Sequence, residues 1–306
     1  MRIFLTGATG YIGGAVLDAL VRGGHDVTAL VRNSEKARAV AKRGAHPVIG
    51  DLADSESYRA SAEAQDGYVH TAYDSRSGQG PAIDRLVLDT ILAAAKRPRT
   101  GSQSPARRFV LYTSEAWVLG RSPEPVAEDA PINPVGHVLW RPDHEQMVLE
   151  AGTDRLRTIV VRPGVVYGGG TGIVADLFKS ASNGLVRVVG DGNNHWPLVY
   201  DRDLADLYAR LAIREDATGV YHANDEGDER VNDIVDAIKP YLKVKPDVRH
   251  VPLDEARHKL GTYAEALALD QVVRSPRARA IGWTPTLHSV AGNAARLLEE
   301  WRAARN

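Results

Sequence analysis

The chain has 306 residues, 43% of them apolar, enough to bury a sizeable core as one large domain or two closely associated ones. Lys and Arg number 38 against 39 Asp and Glu, so no nucleic-acid partner is expected. Cysteine is absent, which excludes disulfides, thiolate metal sites and a cysteine nucleophile, and leaves redox chemistry to a bound cofactor. No metal site is expected. The first apolar run is too short for a signal peptide and no run of about 18 apolar residues occurs, so the expectation is a cytoplasmic protein that does not enter a membrane.

In chain order, "MRIFLTGATGYIGGAVLDALVRGGHDVTALVRN" predicts a strand over Ile3 to Leu5, a glycine-rich turn, an amphipathic helix from about Tyr11 to Arg22, and a strand from Asp26 to Val31. This is one βαβ unit. Gly7, Gly10 and Gly13 follow G-x-x-G-x-x-G spacing, which suits a tight turn, close backbone approach to a pyrophosphate and close packing of helix on strand. The second strand ends on Val31 with Arg32 next, where an acid would accept hydrogen bonds from the ribose of NAD. A guanidinium there pairs with a 2′-phosphate, so NADP is favoured, with NAD as the alternative and a solvated Arg32 beside Glu35 as the plainer reading. Alternation of strand and helix continues to about Ile159 and predicts an α/β fold with a doubly wound parallel sheet. "PRTGSQSPARR", Pro98 to Arg108, reads as an exposed loop before the fifth strand.

"TGATGYIG" resembles the start of the extended short-chain dehydrogenase/reductase family, in its epimerase and dehydratase branch. Further landmarks follow in order: "GDLAD" with Asp51, "DGYVHTAY" to Tyr73, "FVLYTSEAWVLG" to Gly120, "VVRPGVVYG" to Gly168, "GDGNNHWPLVYDRDLADL" to Leu207 and "RARAIGWTP" to Pro285. The resemblance spans nearly the whole chain. It implies a Rossmann-type domain over residues 1–167 with return segments near 195–225, and a smaller, mostly helical substrate lobe over 168–306. It also implies that Thr6, Gly7, Thr9, Gly10, Tyr11, Ile12 and Gly13 hold the cofactor phosphates. Asp51 and Leu52 would border the adenine, Asp51 serving equally well as a helix N-cap. Thr71, Ala72, Tyr73 and Pro163 would line the rest of the cofactor. A homodimer is the family's common assembly.

The family's Tyr-x-x-x-Lys pair has no counterpart here: no tyrosine lies between Tyr112 and Tyr167, and no lysine between Lys96 and Lys179. Matching the strand-end pattern puts Glu115 on the family's Ser/Thr position, with Ser114 one residue earlier. Counting back from Glu145 places Arg141 on the Lys and His137 on the Tyr. At i, i+4 both would share a helical face, and a carboxylate of Glu115 near His137 would favour the imidazolium. Pro142 opposes that continuous helix, because proline disfavours α geometry in the residue before it. His137 is then a residue of the preceding loop.

On the substrate side the resemblance points to Tyr167. His195 and Trp196 stand where many sugar-nucleotide members carry an arginine, which favours a smaller or aromatic substrate, with Trp196 as a packing residue the alternative. Two functions fit. One is an NADP(H)-dependent oxidoreductase or epimerase/dehydratase-like enzyme acting on a small carbonyl or hydroxyl substrate, with Glu115, His137 and Arg141 as an altered acid/base set. The other is a non-catalytic nucleotide-binding sensor. Charged and titratable replacements favour the enzyme.

Overall fold

The computed structural model describes residues 1–98 and 107–305. The expected loop from Pro98 to Arg108 therefore lies mostly outside the described residues. The chain divides into two compact units. The first is Met1–Ser114, Asp143–Val161 and Ala205–Tyr221; the second is Glu115–Pro142, Arg162–Leu204 and His222–Asn306.

The first unit opens with β1 (Arg2–Thr6), α1 (Tyr11–Arg22) and β2 (Asp26–Val31), as the alternation of apolar residues predicts. It continues with α2 (Ser34–Ala41), β3 (His46–Ile49), α3 (Arg59–Glu63), β4 (Gly67–His70), α4 (Gly80–Lys96) and β5 (Arg108–Thr113). Beyond β6 (Ser122–Val126), which belongs to the second unit, come α5 (Arg141–Glu150) and β7 (Leu156–Pro163). The sheet runs β7-β5-β4-β1-β2-β3, every one of these pairings parallel, with strand Gly219–Ala223 on the far side of β7. Strand order reverses between β1 and β4, the switch point at which such sheets open a crevice beyond their carboxyl ends.

Burial explains the sequence pattern. All eight residues of β7 are buried, the continuous run expected of a strand covered on both faces. Phe4, Tyr68, Val87, Ile91, Val110 and Val160 share one core. Two buried arginines serve helix ends: Arg108 donates to the carbonyls of Ala94 (3.2 Å) and Arg97 (2.6 Å), and Arg157 to those of Ala212 (2.9 Å) and Arg214 (2.8 Å). Carbonyls left over at a helix C-terminus are thereby satisfied by a cation that also suits the dipole.

A polar network is buried in this unit. Thr6, His70 and Tyr112 stand in register across β1, β4 and β5. Thr6 Oγ1 lies 2.6 Å from His70 Nδ1, and His70 Nε2 lies 3.2 Å from Asp84 Oδ1. The Tyr112 hydroxyl donates to Asp84 Oδ2 at 3.0 Å, and His144 Nδ1 reaches the same oxygen at 2.7 Å. A carboxylate only accepts, so both imidazoles present an N–H to Asp84, and a neutral His70 then accepts from Thr6.

The second unit is built from helices and four two-stranded pairings: β6 with Gln271–Val273, Val165–Tyr167 with Leu198–Tyr200, Leu185–Val189 with Asp247–Val251, and His195–Trp196 with Glu229–Arg230. Tyr167, Phe178, Trp196, Ile234, Leu297 and Trp301 anchor its core.

Asp84→Ala removes an acceptor shared by three buried donors. Each donor deprived of a partner costs about 1–3 kcal/mol, so the variant is expected to lose at least about 3 kcal/mol of stability. Urea unfolding checks this as a lower midpoint at unchanged slope.

Candidate functional site

The turn after β1 is shaped by close approach. Gly7 has φ +80°, a conformation that side chains resist, and the Gly10 N–H donates to its carbonyl at 2.7 Å. An ideal Cβ on Gly7 would lie 2.8 Å from the Ala72 nitrogen, and one on Gly13 would overlap the Gly7 carbonyl oxygen. A Cβ on Gly10 would meet only that oxygen, at 3.2 Å. Packing therefore accounts for Gly7 and Gly13, while Gly10 is exposed and a Cβ there would press only on the Gly7 carbonyl oxygen. Gly10 is also the N-cap of α1, which has neither a side-chain cap nor an acid in its first turn. Thr9 and Gly10 are exposed, and Tyr11 and Ile12 are half-buried. Such a helix end has N–H groups to offer an anion. Thr6 is fully buried and engaged with His70.

The flanking positions fall as follows. Arg32 is exposed, and Asn33 beside it caps α2 by accepting from the Lys36 N–H at 3.0 Å. The Asp74 carboxyl, held below its usual range by the N–H groups of Arg76 and Ser77, also feels the charge of Arg32. Asp51 Oδ1 accepts the Ala53 N–H at 2.9 Å; the cap of the 3-10 turn Ser55–Ser57 is Asp54, not Asp51. Leu52 packs on the first unit's core. The Thr71 hydroxyl donates to the Thr6 carbonyl at 2.8 Å, Ala72 is half-buried, and Tyr73 is exposed. Pro163 is buried in β7. Ser114, at the end of the first unit, has a buried hydroxyl with no hydrogen-bond partner among the described residues. Such an orphan is a place to look for a ligand contact.

Glu115, His137 and Arg141 all belong to the second unit. The pairing differs from the expected one: Arg141 Nε donates to Glu115 Oε1, so Glu115 meets the guanidinium. The guanidinium also lies 4.4 Å over the Trp140 ring. The shared helical face for His137 and Arg141 does not form, because α5 begins at Arg141 and His137 occupies a separate 3-10 turn, Gly136–Val138. Pro142 in the first turn of α5 gives the physical reason, since a proline there suits a helix start and opposes a continuing helix. His137 is exposed, and its ring lies 5.2 Å from Tyr263 and 5.9 Å from Trp117, which are themselves 6.0 Å apart.

Tyr263 leads from this aromatic group to a cavity of about 150 Å³ in the same unit, whose lining includes Asp176, Leu177, Arg187, Trp196 and Val231. Burial, then the charges of Asp176 and Glu115, push the Tyr263 hydroxyl up to about 12. Trp196 is 4% exposed and donates from Nε1 to the Leu267 carbonyl at 3.0 Å, with its ring in the cavity wall. His195 Nδ1 lies 2.8 Å from Asp270 Oδ1. Tyr167 is fully buried and donates its hydroxyl to Asp225 at 2.9 Å. Sequence reasoning missed Tyr263, Asp176 and Arg187, none of which stands in a motif. Among the described residues no group of three or more His, Asp or Glu side chains is arranged to hold a metal ion.

A glycine turn leading from the carboxyl end of an interior strand into a helix, in a doubly wound parallel sheet, defines a Rossmann-type protein. The model of the NAD dependent epimerase/dehydratase family matches residues 3–223, and the chain belongs to that family. An uncharacterised protein of Schizosaccharomyces pombe is 30% identical over 295 residues, covering 94% of this chain and 95% of the relative. A ketoreductase of Stigmatella aurantiaca that acts on a farnesylated dihydroquinoline oxide is 27% identical, covering 84% and 78%. Two solved structures share the fold at 19% identity each. A human epimerase family protein with NADPH has a TM-score of 0.78 over 98% of this chain and 99% of its own. Thermus thermophilus UDP-glucose 4-epimerase with NAD reaches 0.81 over 99% and 100%.

Asp225 gives this unit a pH signature. Burial pushes its carboxyl up to about 7, although the Gly227 N–H and the Tyr167 hydroxyl oppose the shift. In the unfolded chain an aspartate titrates near pH ~4. Between about pH 4 and 7 the native state holds a proton that the unfolded chain has lost, so this contribution to stability falls as pH rises through that window. Asp225→Asn should flatten that slope in unfolding midpoints measured across it.

Proposed function

We propose that the protein is an NADP(H)-dependent oxidoreductase of small carbonyl or hydroxyl compounds, with Glu115, His137 and Arg141 standing in for the family's Ser, Tyr and Lys. The observation that carries this reading is His137, an exposed imidazole resting on Tyr263, which walls the cavity. A relative named as a ketoreductase and another named as a 2-alkyl-3-oxoalkanoate reductase support it.

The residues of the first unit fit a dinucleotide. The uncapped start of α1, with Thr9, Gly10, Tyr11 and Ile12, takes the pyrophosphate. Arg32 takes the 2′-phosphate, Asp51 and Leu52 border the adenine, and Thr71, Ala72 and Tyr73 line the remainder. When bound, the reduced nicotinamide supplies the hydride for the carbonyl carbon. As the carbonyl π pair moves onto oxygen, His137 gives that oxygen its proton and the alcohol forms; an imidazole is suited to this because it carries and gives up a proton in the physiological range. Tyr263 donates a hydrogen bond that orients the oxygen. Glu115 fixes Arg141 by their ion pair, and Arg141 holds the cofactor ribose. The same residues run in reverse oxidise an alcohol.

Arg32→Ala is expected to weaken NADPH selectively, since a charge-assisted hydrogen bond contributes about 1.5–3 kcal/mol. Fluorescence titration with NADPH and NADH checks it: the variant's two affinities should converge, and equal affinities already in the wild type would overturn the choice of cofactor.

His137→Ala should lower kcat/KM by about 10² to 10⁴-fold while NADPH still binds. The pH profile should lose one limb in His137→Gln. Turnover at the wild-type rate in both variants would remove His137 from the reaction. Nucleotide binding without turnover of any carbonyl would leave the sensor reading in its place.

A further inference from the structure

The cavity of the second unit is bounded by helix Ile173–Ser182, strand Leu185–Val189, Trp196, Val231 and the short helix Tyr263–Leu267. At about 150 Å³ it has the size of an apolar protein cavity that admits benzene. Its walls are mainly aliphatic and aromatic: Ile173, Leu177, Val188, Trp196, Val231 and Leu267. Three polar side chains interrupt them, Asp176, Ser180 and Arg187.

The charges have a direction. Arg249 stands in register beside Arg187 on the neighbouring strand, but its guanidinium is engaged with Asp247 at 2.8 Å. Arg187 and Asp176 form no ion pair with another described residue. The charges that raise the Tyr263 hydroxyl are those of Asp176 and Glu115. Asp176, in the lining, thus puts a negative charge beside Tyr263, while Glu115 is paired with Arg141. One guanidinium does not balance a diphosphate, and the Asp176 carboxylate in the same lining repels one. A flat apolar body with a single anionic group matches the walls and the cation, and Asp176 turns the neutral end of such a molecule toward Tyr263.

We propose that this cavity binds an aromatic carboxylate, with the ring between Trp196 and the aliphatic wall, the carboxylate on Arg187, and the uncharged end of the ring directed to Tyr263. That the uncharged end is a reducible carbonyl rests on the oxidoreductase reading above; the binding itself does not.

The probe is 4-formylbenzoate, which carries its carboxylate and its aldehyde at opposite ends of one ring, compared with benzaldehyde and with UDP-glucose by calorimetry on the full chain. Wild-type protein should bind 4-formylbenzoate at least about tenfold more tightly than benzaldehyde, the size expected of one charge-assisted contact. Arg187→Gln, a change at an exposed position that spares the fold, should erase that advantage while leaving benzaldehyde binding as it was. Val231→Trp should fill the cavity and abolish binding of both. Equal binding of the two aldehydes by the wild type, an advantage that survives Arg187→Gln, or UDP-glucose displacing 4-formylbenzoate would each overturn the proposal. Adding NADPH separates the two claims: tight, Arg187-dependent binding without reduction of the aldehyde upholds the cavity and overturns the oxidoreductase reading.

Discussion

Asp84 reaches from α4 to a row of side chains near the carboxyl ends of three parallel strands, and the placement of the glycine turn follows from that contact. Thr6, His70 and Tyr112 are cross-strand neighbours, so their side chains share one face of the sheet. With His70 and Tyr112 bonded to Asp84, and Thr6 to His70, the last residues of β1 and β4 are held by a polar ladder inside an otherwise apolar layer. Each group there is costly if left unpaired, which makes the arrangement specific. One residue further on, β1 turns into Gly7 and β4 into Thr71. The Thr71 hydroxyl bonds the Thr6 carbonyl, and Gly7 packs so closely on Thr71 and Ala72 that no side chain fits. The turn that opens α1 is therefore seated on a ladder set by Asp84.

The second unit uses charge differently. Glu115 and Arg141 are largely withdrawn from water, with 22% and 10% of their side chains exposed. A pair at that depth contributes little net stability, because desolvation offsets much of the attraction, but removal of one partner strands the other. Its consequence is geometric: Arg141 at the first position of α5 is anchored to the segment that follows β5, and Trp140 beneath the guanidinium limits its freedom further. His137 is left outside this pair, in contact with rings instead of carboxylates.

What was legible in the sequence divides along the same physical line. The βαβ opening could be read residue by residue because strand, glycine turn and helix are set by neighbours in the chain: apolar runs, φ constraints and helix periodicity. The start of α5 near Pro142 was also legible, since a proline opposes a continuing helix. The partner of Glu115 was not, because a helix that starts at Arg141 leaves His137 in a separate turn and brings the Arg141 guanidinium to the carboxylate. Asp51 shows the same limit at smaller scale: two aspartates three residues apart both suit a cap, and the turn geometry gives it to Asp54. The cavity was invisible, since its lining runs from Ile173 to Leu267 and no periodicity links Arg187 to Tyr263.

The identity of the proton carrier in the proposed reaction can be argued from the phenols. A tyrosine exchanges protons near neutral pH when a neighbouring cation lowers its pKa. Tyr263 is in the opposite situation: buried, and near Asp176 and Glu115, its hydroxyl is pushed up to about 12. Tyr167 is raised still more strongly by burial and by Asp225. Both are therefore neutral O–H groups that donate hydrogen bonds and do not give up their protons. The lysine that would correct this in the family's usual arrangement is absent from the segment between Lys96 and Lys179, and Arg141 spends charge on Glu115. An imidazole needs no such cation. In the proposed reaction, with Tyr263 holding the substrate oxygen as a fixed donor, the proton would come from the ring tilted against it, His137.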